Sequence, residues 1–147
     1  MKLSTKGRYG LRAMLDLAIN SRGEHVALYS IAERQGLSVQ YLEQMFSTLR
    51  KAGLVKSVKG AGGGYSLSDS PSKITVGAVL RALEGNISIV SDLDDGEKQN
   101  NLEKCIRSSL WTRIDESTNQ IIDAVTLQDL AEESLKMDSE GHLMFYI

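Results

Sequence analysis

Glycine cuts the first half of this 147-residue chain into pieces that leave few choices of fold. Gly36, Gly53 and the run Gly60-Ala61-Gly62-Gly63-Gly64 each interrupt a stretch of regular apolar spacing. Before the first break, Leu11, Met14, Leu15, Ala18 and Ile19 fall at i, i+3, i+4, i+7 and i+8. That is the stripe of a helix that begins after Ser4 or Thr5 and ends near Ser21. Val26 to Leu28 has room only for a small strand. Ser30-Ile31-Ala32-Glu33 has the spacing of a capping box that opens a second, short helix. Gly36 closes it, because glycine alone enters the left-handed conformation after a helix without steric cost. Ser38 caps a third helix, where Leu42, Met45, Phe46 and Leu49 repeat the i, i+3, i+4, i+7 stripe until Gly53.

A short helix, a turn of about three residues and a longer amphipathic helix make a helix-turn-helix. The opposite face of the third helix carries Gln40, Tyr41, Gln44, Ser47, Thr48 and Lys51, whose amides, hydroxyls and ammonium suit base edges and phosphates. Leu54 to Lys59 reads as a strand, Gly60 to Gly64 as a turn and Tyr65 to Leu67 as the returning strand, a hairpin placed as a wing. Lys56 and Lys59 stand at its base, and a tip without bulky side chains can approach a phosphate backbone closely. The glycines are not a nucleotide loop. Tyr65 stands where a dinucleotide fingerprint needs its third glycine, and no Gly-Lys-Ser/Thr follows.

Charge agrees with this division. Residues 1–73 hold 11 Lys plus Arg against 5 Asp plus Glu, or 11 − 5 = +6, and residues 74–147 hold 6 against 14, or −8. The basic half suits a polyanion. No run nears the ~18 apolar residues of a membrane span, and the polar start Met1-Lys2-Leu3-Ser4-Thr5-Lys6 has no secretory h-region, so a cytoplasmic address with no membrane contact is expected. The one cysteine, Cys105, far in sequence from His25 and His142, makes neither a disulfide nor a multi-thiolate metal site, so no metal and no cofactor are expected. No nucleophile elbow, HExxH pair or acid–base constellation marks an enzyme.

In the second half, Thr75 caps a helix with the stripe Val76, Val79, Leu80 and Leu83, ending at Gly85. Residues 86–101 read as an acidic loop bearing Asp92, Asp94, Asp95 and Glu97, without the spacing of a calcium loop. Leu102, Ile106, Leu110, Ile114, Ile121 and Val125 then mark a helix of about 20 residues. An apolar stripe on a helix that projects from a small domain is covered most economically by the same helix of a second copy. The alternative is an intramolecular five- or six-helix domain. Trp111 is an interface or core anchor on either reading. Thr126 to Asp129 repeats a capping pattern, and Leu127, Leu130, Ala131 and Leu135 give a final short helix. The fold expected is mainly α with a small β wing: a winged helix-turn-helix domain over 1–85, the acidic loop over 86–101, and a dimerisation helix, short helix and tail over 102–147.

The segments Lys6-Gly7-Arg8-Tyr9-Gly10-Leu11, Tyr41-Leu42-Glu43-Gln44, Leu49 to Val55 and Gly60 to Tyr65 together resemble the Rrf-two family of bacterial winged-helix regulators. The resemblance runs along essentially the whole chain. It implies a homodimer on a pseudo-palindromic double-stranded DNA operator, usually acting as a repressor. It also implies DNA contacts at Ser38, Gln40, Tyr41, Glu43 and Gln44 on the recognition helix, and at Lys59, Gly60 and Gly62 in the wing. Lys51 and Lys56 join them on the reading of the residues above. Glu43 would select sequence rather than add affinity, since a carboxylate accepts from a cytosine amino group and repels phosphate.

Members of the family's iron–sulfur branch bear three cysteines and a histidine at the start of the long helix, where this chain has only Cys105, with Ser108 in place of the histidine. The sequence is more similar to the branch of cysteine-metabolism repressors, which act with O-acetylserine sulfhydrylase. By that resemblance the C-terminal Tyr146-Ile147 is a candidate docking tail for the enzyme, an apolar side chain beside a free carboxylate. Cys105, near Lys104 and Arg107, is either a small packed side chain or a redox sensor. The alternatives to a sulfur-metabolism repressor are therefore a redox- or iron–sulfur-linked stress regulator of the same family and a winged-helix protein-interaction module.

Overall fold

The structure, a computed structural model, describes residues 2–90, 96 and 99–146. Helix α1 (Thr5–Asn20) starts where Ser4 Oγ accepts from the Gly7 amide, and buries Ala13, Met14 and Leu17. Helices α2 (Leu28–Gln35) and α3 (Val39–Lys51) follow, with Gly36 between them in the left-handed region at φ 66°. Strands β1 (Val55–Val58) and β2 (Gly64–Leu67) pair antiparallel, Val55 opposite Leu67 and Val58 opposite Gly64. A 3-10 turn at Pro71–Lys73 leads to α4 (Val76–Glu84), capped by Thr75 Oγ1 on the Ala78 amide at 3.0 Å.

The core joins Met14 and Leu17 of α1, Ile31 of α2, Leu42, Met45, Phe46 and Leu49 of α3 and Val79 and Leu83 of α4. The stripes read for α3 and α4 meet here as spaced, but the core face of α1 is turned from the stripe read for it: Ala13, Met14 and Leu17 are buried, whereas Leu11, Leu15, Ala18 and Ile19 are half-buried. Burying this many large aliphatic side chains supplies most of the driving force, at roughly 1.5–3 kcal/mol for each. Helix α1 packs on α4 so closely that a side chain at Gly7 or Gly10 would force Glu84 or Leu83 to shift. A Cβ at residue 10 would lie 2.1 Å from Leu83 Cδ1, and one at residue 7 would lie 2.4 Å from Glu84 Oε1. In that space the Glu84 carboxylate accepts from the backbone N–H of Gly7 at 3.0 Å and of Ser4 at 3.2 Å, and from the Ser4 hydroxyl. A negative group thus meets the positive end of α1.

From Asn101 on, the chain forms two helical runs parted at Val125, the first of them with an irregular turn. Helix α5 (Asn101–Ile106), capped by Asn100 Oδ1, passes into a π turn at Arg107–Trp111, where Thr112 N–H bonds Arg107 O. Helix α6 (Thr112–Ala124) continues from it. Val125 is extended, and the junction is stitched to the start of α4 by Val76 N–H to Val125 O at 2.8 Å and Leu127 N–H to Ile74 O at 3.0 Å. Farther along α4, Arg81 bonds both oxygens of Asp123, at 2.6 and 2.9 Å, and Asn119 Oδ1 at 2.9 Å. The Arg81 hydrogen bond holds the Asp123 carboxyl below the usual carboxylate range. Its contribution to stability is therefore present above that range and is lost as pH falls through the depressed native value. Both partners are well exposed, so the pair contributes little.

Four expectations need correction. The segment Val26 to Leu28 is not a strand: it narrows to a single bridge between Val26 and Tyr65. Helix α2 begins at Leu28 behind Ala27, two residues before the Ser30 capping box, and has no side-chain cap. The bridge at Val26 fixes the direction of the chain there, and Ser30 N–H is satisfied by Ala27 O at 3.0 Å. The final helix is not short. Thr126 and Asp129 exchange backbone-to-side-chain bonds as read, but α7 then runs Leu127–Tyr146, twenty residues. Leu127 enters the core, whereas Leu135 is 59% exposed and forms no part of a buried stripe. Asp92, Asp94, Asp95, Glu97 and Ile147 lie outside the described residues, as does the side chain of Tyr146.

Gly10→Ala should lower the unfolding free energy by about 1–3 kcal/mol, because a methyl group there overlaps Leu83. Urea titration measures the loss. Adding Leu83→Ala to the same chain should give a double variant less unstable than the sum of the two singles, the mark of a shared space.

Candidate nucleic-acid interface

Helix α3 is two-faced because its apolar residues recur every three or four positions. Leu42, Met45, Phe46 and Leu49 are fully buried, which turns the intervening residues outward. Gln40, Glu43, Gln44, Ser47, Thr48 and Lys51 line one shallow depression on that outer face. Ser38 sits at the head of the helix, its hydroxyl accepting from the Tyr41 amide at 3.1 Å. The remaining free amides and the positive end of the helix dipole are open there, an arrangement favourable to phosphate. Arg50 and Lys51 occupy the last turn, at the negative end.

A buried charge fastens the end of α2 to α1. Asp16 of α1 is 4% exposed. Its carboxylate accepts from Arg34 Nη2 at 2.7 Å and Nε at 3.0 Å, and from Gln35 Nε2 at 2.8 Å. The same ion pair raises the Arg34 guanidinium pKa above its ordinary value. Arg12 Nη2 donates to Gln35 O at 2.9 Å, so two arginines and one carboxylate fasten the end of α2 to α1. A buried carboxylate holds its position only while its oxygens are satisfied.

The wing is tied to α3 by the Phe46 and Tyr65 rings, edge to face with centroids 5.0 Å apart. At its root Ser68 Oγ donates to Gly53 O at 2.6 Å. A second groove runs between α3 and the hairpin, lined by Glu43, Arg50, Lys59, Gly60 and Tyr65 among others. Glu43 borders both depressions, so the helix face and the wing form one continuous surface. The Gly62 position has open space around an added Cβ, so packing does not explain the small residue there.

Of the residues predicted to meet DNA, Ser38, Gln40, Glu43, Gln44, Lys51, Lys59, Gly60 and Gly62 are exposed; Gln40, Glu43, Gln44 and Lys51 line the helix depression, and Glu43, Lys59 and Gly60 line the wing groove. Lys56 is exposed but lines neither depression. Tyr41 is half buried and packs edge-on against Tyr9, centroids 6.4 Å apart, so it also joins α3 to α1. Spacing alone missed Arg50, seven residues beyond Glu43 and thus on its side of the helix. It also missed Arg8 and Arg12, whose guanidinium carbons lie 5.8 and 4.8 Å from the Tyr9 ring centre, and His25, which donates from Nε2 to Gly62 O. Helical periodicity could have placed Arg8 and Arg12 beside Tyr9; nothing in the sequence pairs residue 25 with residue 62. Cys105 is exposed, not packed, on α5.

The Rrf-two family, described as iron-dependent transcriptional regulators, matches residues 3–133. The chain is 46% identical to the transcriptional regulator CymR of Bacillus subtilis over all of both chains. It is 41% identical to IscR of Escherichia coli O1:K1 over 96% of this chain and 86% of that one. The solved structure of CymR, the global cysteine regulator of B. subtilis, superposes with a TM-score of 0.76 at 45% identity, covering 90% of this chain and 98% of that chain. The donors present do not fit an iron–sulfur centre. There is one cysteine in the sequence, and among the described residues no three His, Cys, Asp or Glu side chains gather as a metal site would require. Nor is any helix among them long and apolar enough to cross a membrane. With the winged-helix architecture and this likeness along nearly the whole chain, the protein belongs to the Rrf-two family of transcriptional regulators, which are not enzymes.

Proposed function

We propose that this regulator is a cytoplasmic homodimer that binds a pseudo-palindromic DNA operator and represses genes of cysteine and sulfur metabolism. The observation that carries DNA binding is the continuous surface from Gln40 through Glu43 to Lys59 and Gly60, polar and glycine-tipped, on the basic half of the chain. In this reading α3 enters the major groove. Gln40, Gln44 and Glu43 meet base edges, Tyr41 sits beside them, and Ser38, Lys51, Lys56 and Lys59 meet phosphates. Gly60 and Gly62 let the wing approach the backbone. A protein-interaction module would respond far less to salt.

The second subunit is inferred from an uncovered stripe. Leu102 is 75% exposed, Leu110 46% and Ile121 65%, all on the α5–α6 run, where Leu110, Ile114 and Ile121 line one groove. Packing that stripe on its copy holds two α3 helices one DNA turn, about 34 Å, apart. The sulfur regulon rests on the likeness to CymR. So does O-acetylserine sulfhydrylase as a partner, with Tyr146 and Ile147 as its docking tail. The exposed thiol of Cys105 favours oxidant sensing as a second reading.

Three outcomes are expected. In salt titrations of DNA binding, Lys59→Ala should weaken binding to every sequence and make the slope of log affinity against log salt shallower by about one, whereas Glu43→Ala should relax sequence preference with the slope intact. Ile121→Glu combined with Leu110→Glu should sediment as a monomer; a variant that still sediments as a dimer removes this stripe from the interface. Sequencing of genomic fragments retained at fixed salt should recover promoters of cysteine and sulfur-uptake genes, more strongly with the sulfhydrylase present. Promoters lost on peroxide treatment of the parent but kept by Cys105→Ser would instead support the sensor.

A further inference from the structure

The wing tip is built of residues that cost the most to order. Between Lys59 and Tyr65 the chain has four glycines and one alanine, and glycine loses more conformational freedom on ordering than any other residue. A free tip of this composition would surrender that freedom on each encounter with DNA. Two contacts from the α1–α2 connection act against this. Val26 and Tyr65 exchange backbone hydrogen bonds, both 2.8 Å, a single bridge that pins the hairpin to the α1–α2 connection. The approach is close enough that a Cβ at residue 64 would lie 2.3 Å from Val26 O. One residue earlier, the His25 ring reaches past the strand ends and donates from Nε2 to the carbonyl of Gly62, at the tip itself. The tip's own turn is closed by Gly63 N–H to Gly60 O, at 3.0 Å.

We propose that His25 is a wing-positioning residue: its imidazole holds the glycine tip in the DNA-ready conformation before the operator arrives. The inference rests on the proposed DNA-binding reading and assigns His25 no contact with DNA. It acts through Gly62, as a preorganising hydrogen bond acts on any flexible binding loop. The Nε2–H donor is present in the imidazolium and in one tautomer of the neutral ring, so the hold does not require a charged histidine. The side chain is exposed, and neither His25 nor Gly62 belongs to the hydrophobic core.

His25→Ala should leave the melting temperature close to the parent's and raise the operator dissociation constant about three- to tenfold, the scale of one lost ordering contact. The salt slope should not change, because no phosphate neutralisation is lost. His25→Gln, whose amide can donate to the same carbonyl, should recover most of the affinity. In the free protein, amide relaxation at Gly60 to Gly64 should report a more mobile tip in His25→Ala than in the parent. A tip equally ordered in both overturns the proposal without touching the DNA-binding reading. A salt slope reduced by about one would make His25 a phosphate contact instead. If the parent binds no DNA, the relaxation comparison still decides whether His25 holds the tip.

Discussion

Helices α1 and α4 meet at Gly7 and Gly10 with no room for a side chain on α1, and this close approach sets the position of the other parts. Helix α1 carries Asp16 and so the clamp on α2; α4 carries Arg81 and the backbone stitches to the α6–α7 junction. The reading surface hangs from one partner and the long helical arm from the other. Glu84 closes the seam from the α4 side by accepting the free amides at the start of α1. A change in the separation of these two helices would be felt at both ends of the molecule, since interiors packed at crystal-like density transmit strain rather than absorb it.

The chain keeps its opposing charges apart in the same way. The positive excess lies on α1–α3 and the wing, and the negative excess on the segments beyond Ile74. Where the halves touch, the Glu84 carboxylate accepts from the Ser4 and Gly7 amides at 3.2 and 3.0 Å, while within the acidic half Arg81 pairs with Asp123, and Asp115 accepts from the Ser88 hydroxyl and the Ile89 amide at 2.7 and 2.8 Å. The acidic half thus contributes carboxylates to the seam without placing them beside the face proposed to meet DNA.

Local signals were legible in the sequence wherever one residue type does one physical job. The caps at Ser38, Thr75 and Thr126, the left-handed Gly36 and the apolar stripes of α3 and α4 appear as read, because each is decided within a turn or two of chain. The misses are cases where distant chain overrides a local preference. Ser30 had a good capping pattern, but the Val26 bridge to Tyr65 set the helix start earlier. Helix α7 has weak apolar periodicity beyond Leu130, so its length was hidden behind a polar surface. Asp16 looks like an interruption in the stripe of α1 until Arg34, eighteen residues on, is seen to satisfy it. Of the interface, the outer face of α3 and the wing glycines were visible from spacing. Tyr41 as a joint to Tyr9, Arg50 in the second groove and His25 at the tip were not, because each depends on a contact between separate elements.

The π turn at Arg107–Trp111 gives the long arm a property that a regular helix of the same sequence would lack. Leu102, Ile106, Leu110 and Ile114 recur every four residues. In an unbroken α-helix of about 3.6 residues per turn such a row winds steadily around the axis, since each step overshoots a full turn by roughly 40°. A turn that spends one extra residue takes back part of that overshoot and keeps the row in phase. The widened turn therefore works as a register correction. It converts a spiral of apolar side chains into a straighter seam, and the straightness of that seam decides whether two rigid arms can lie along one another.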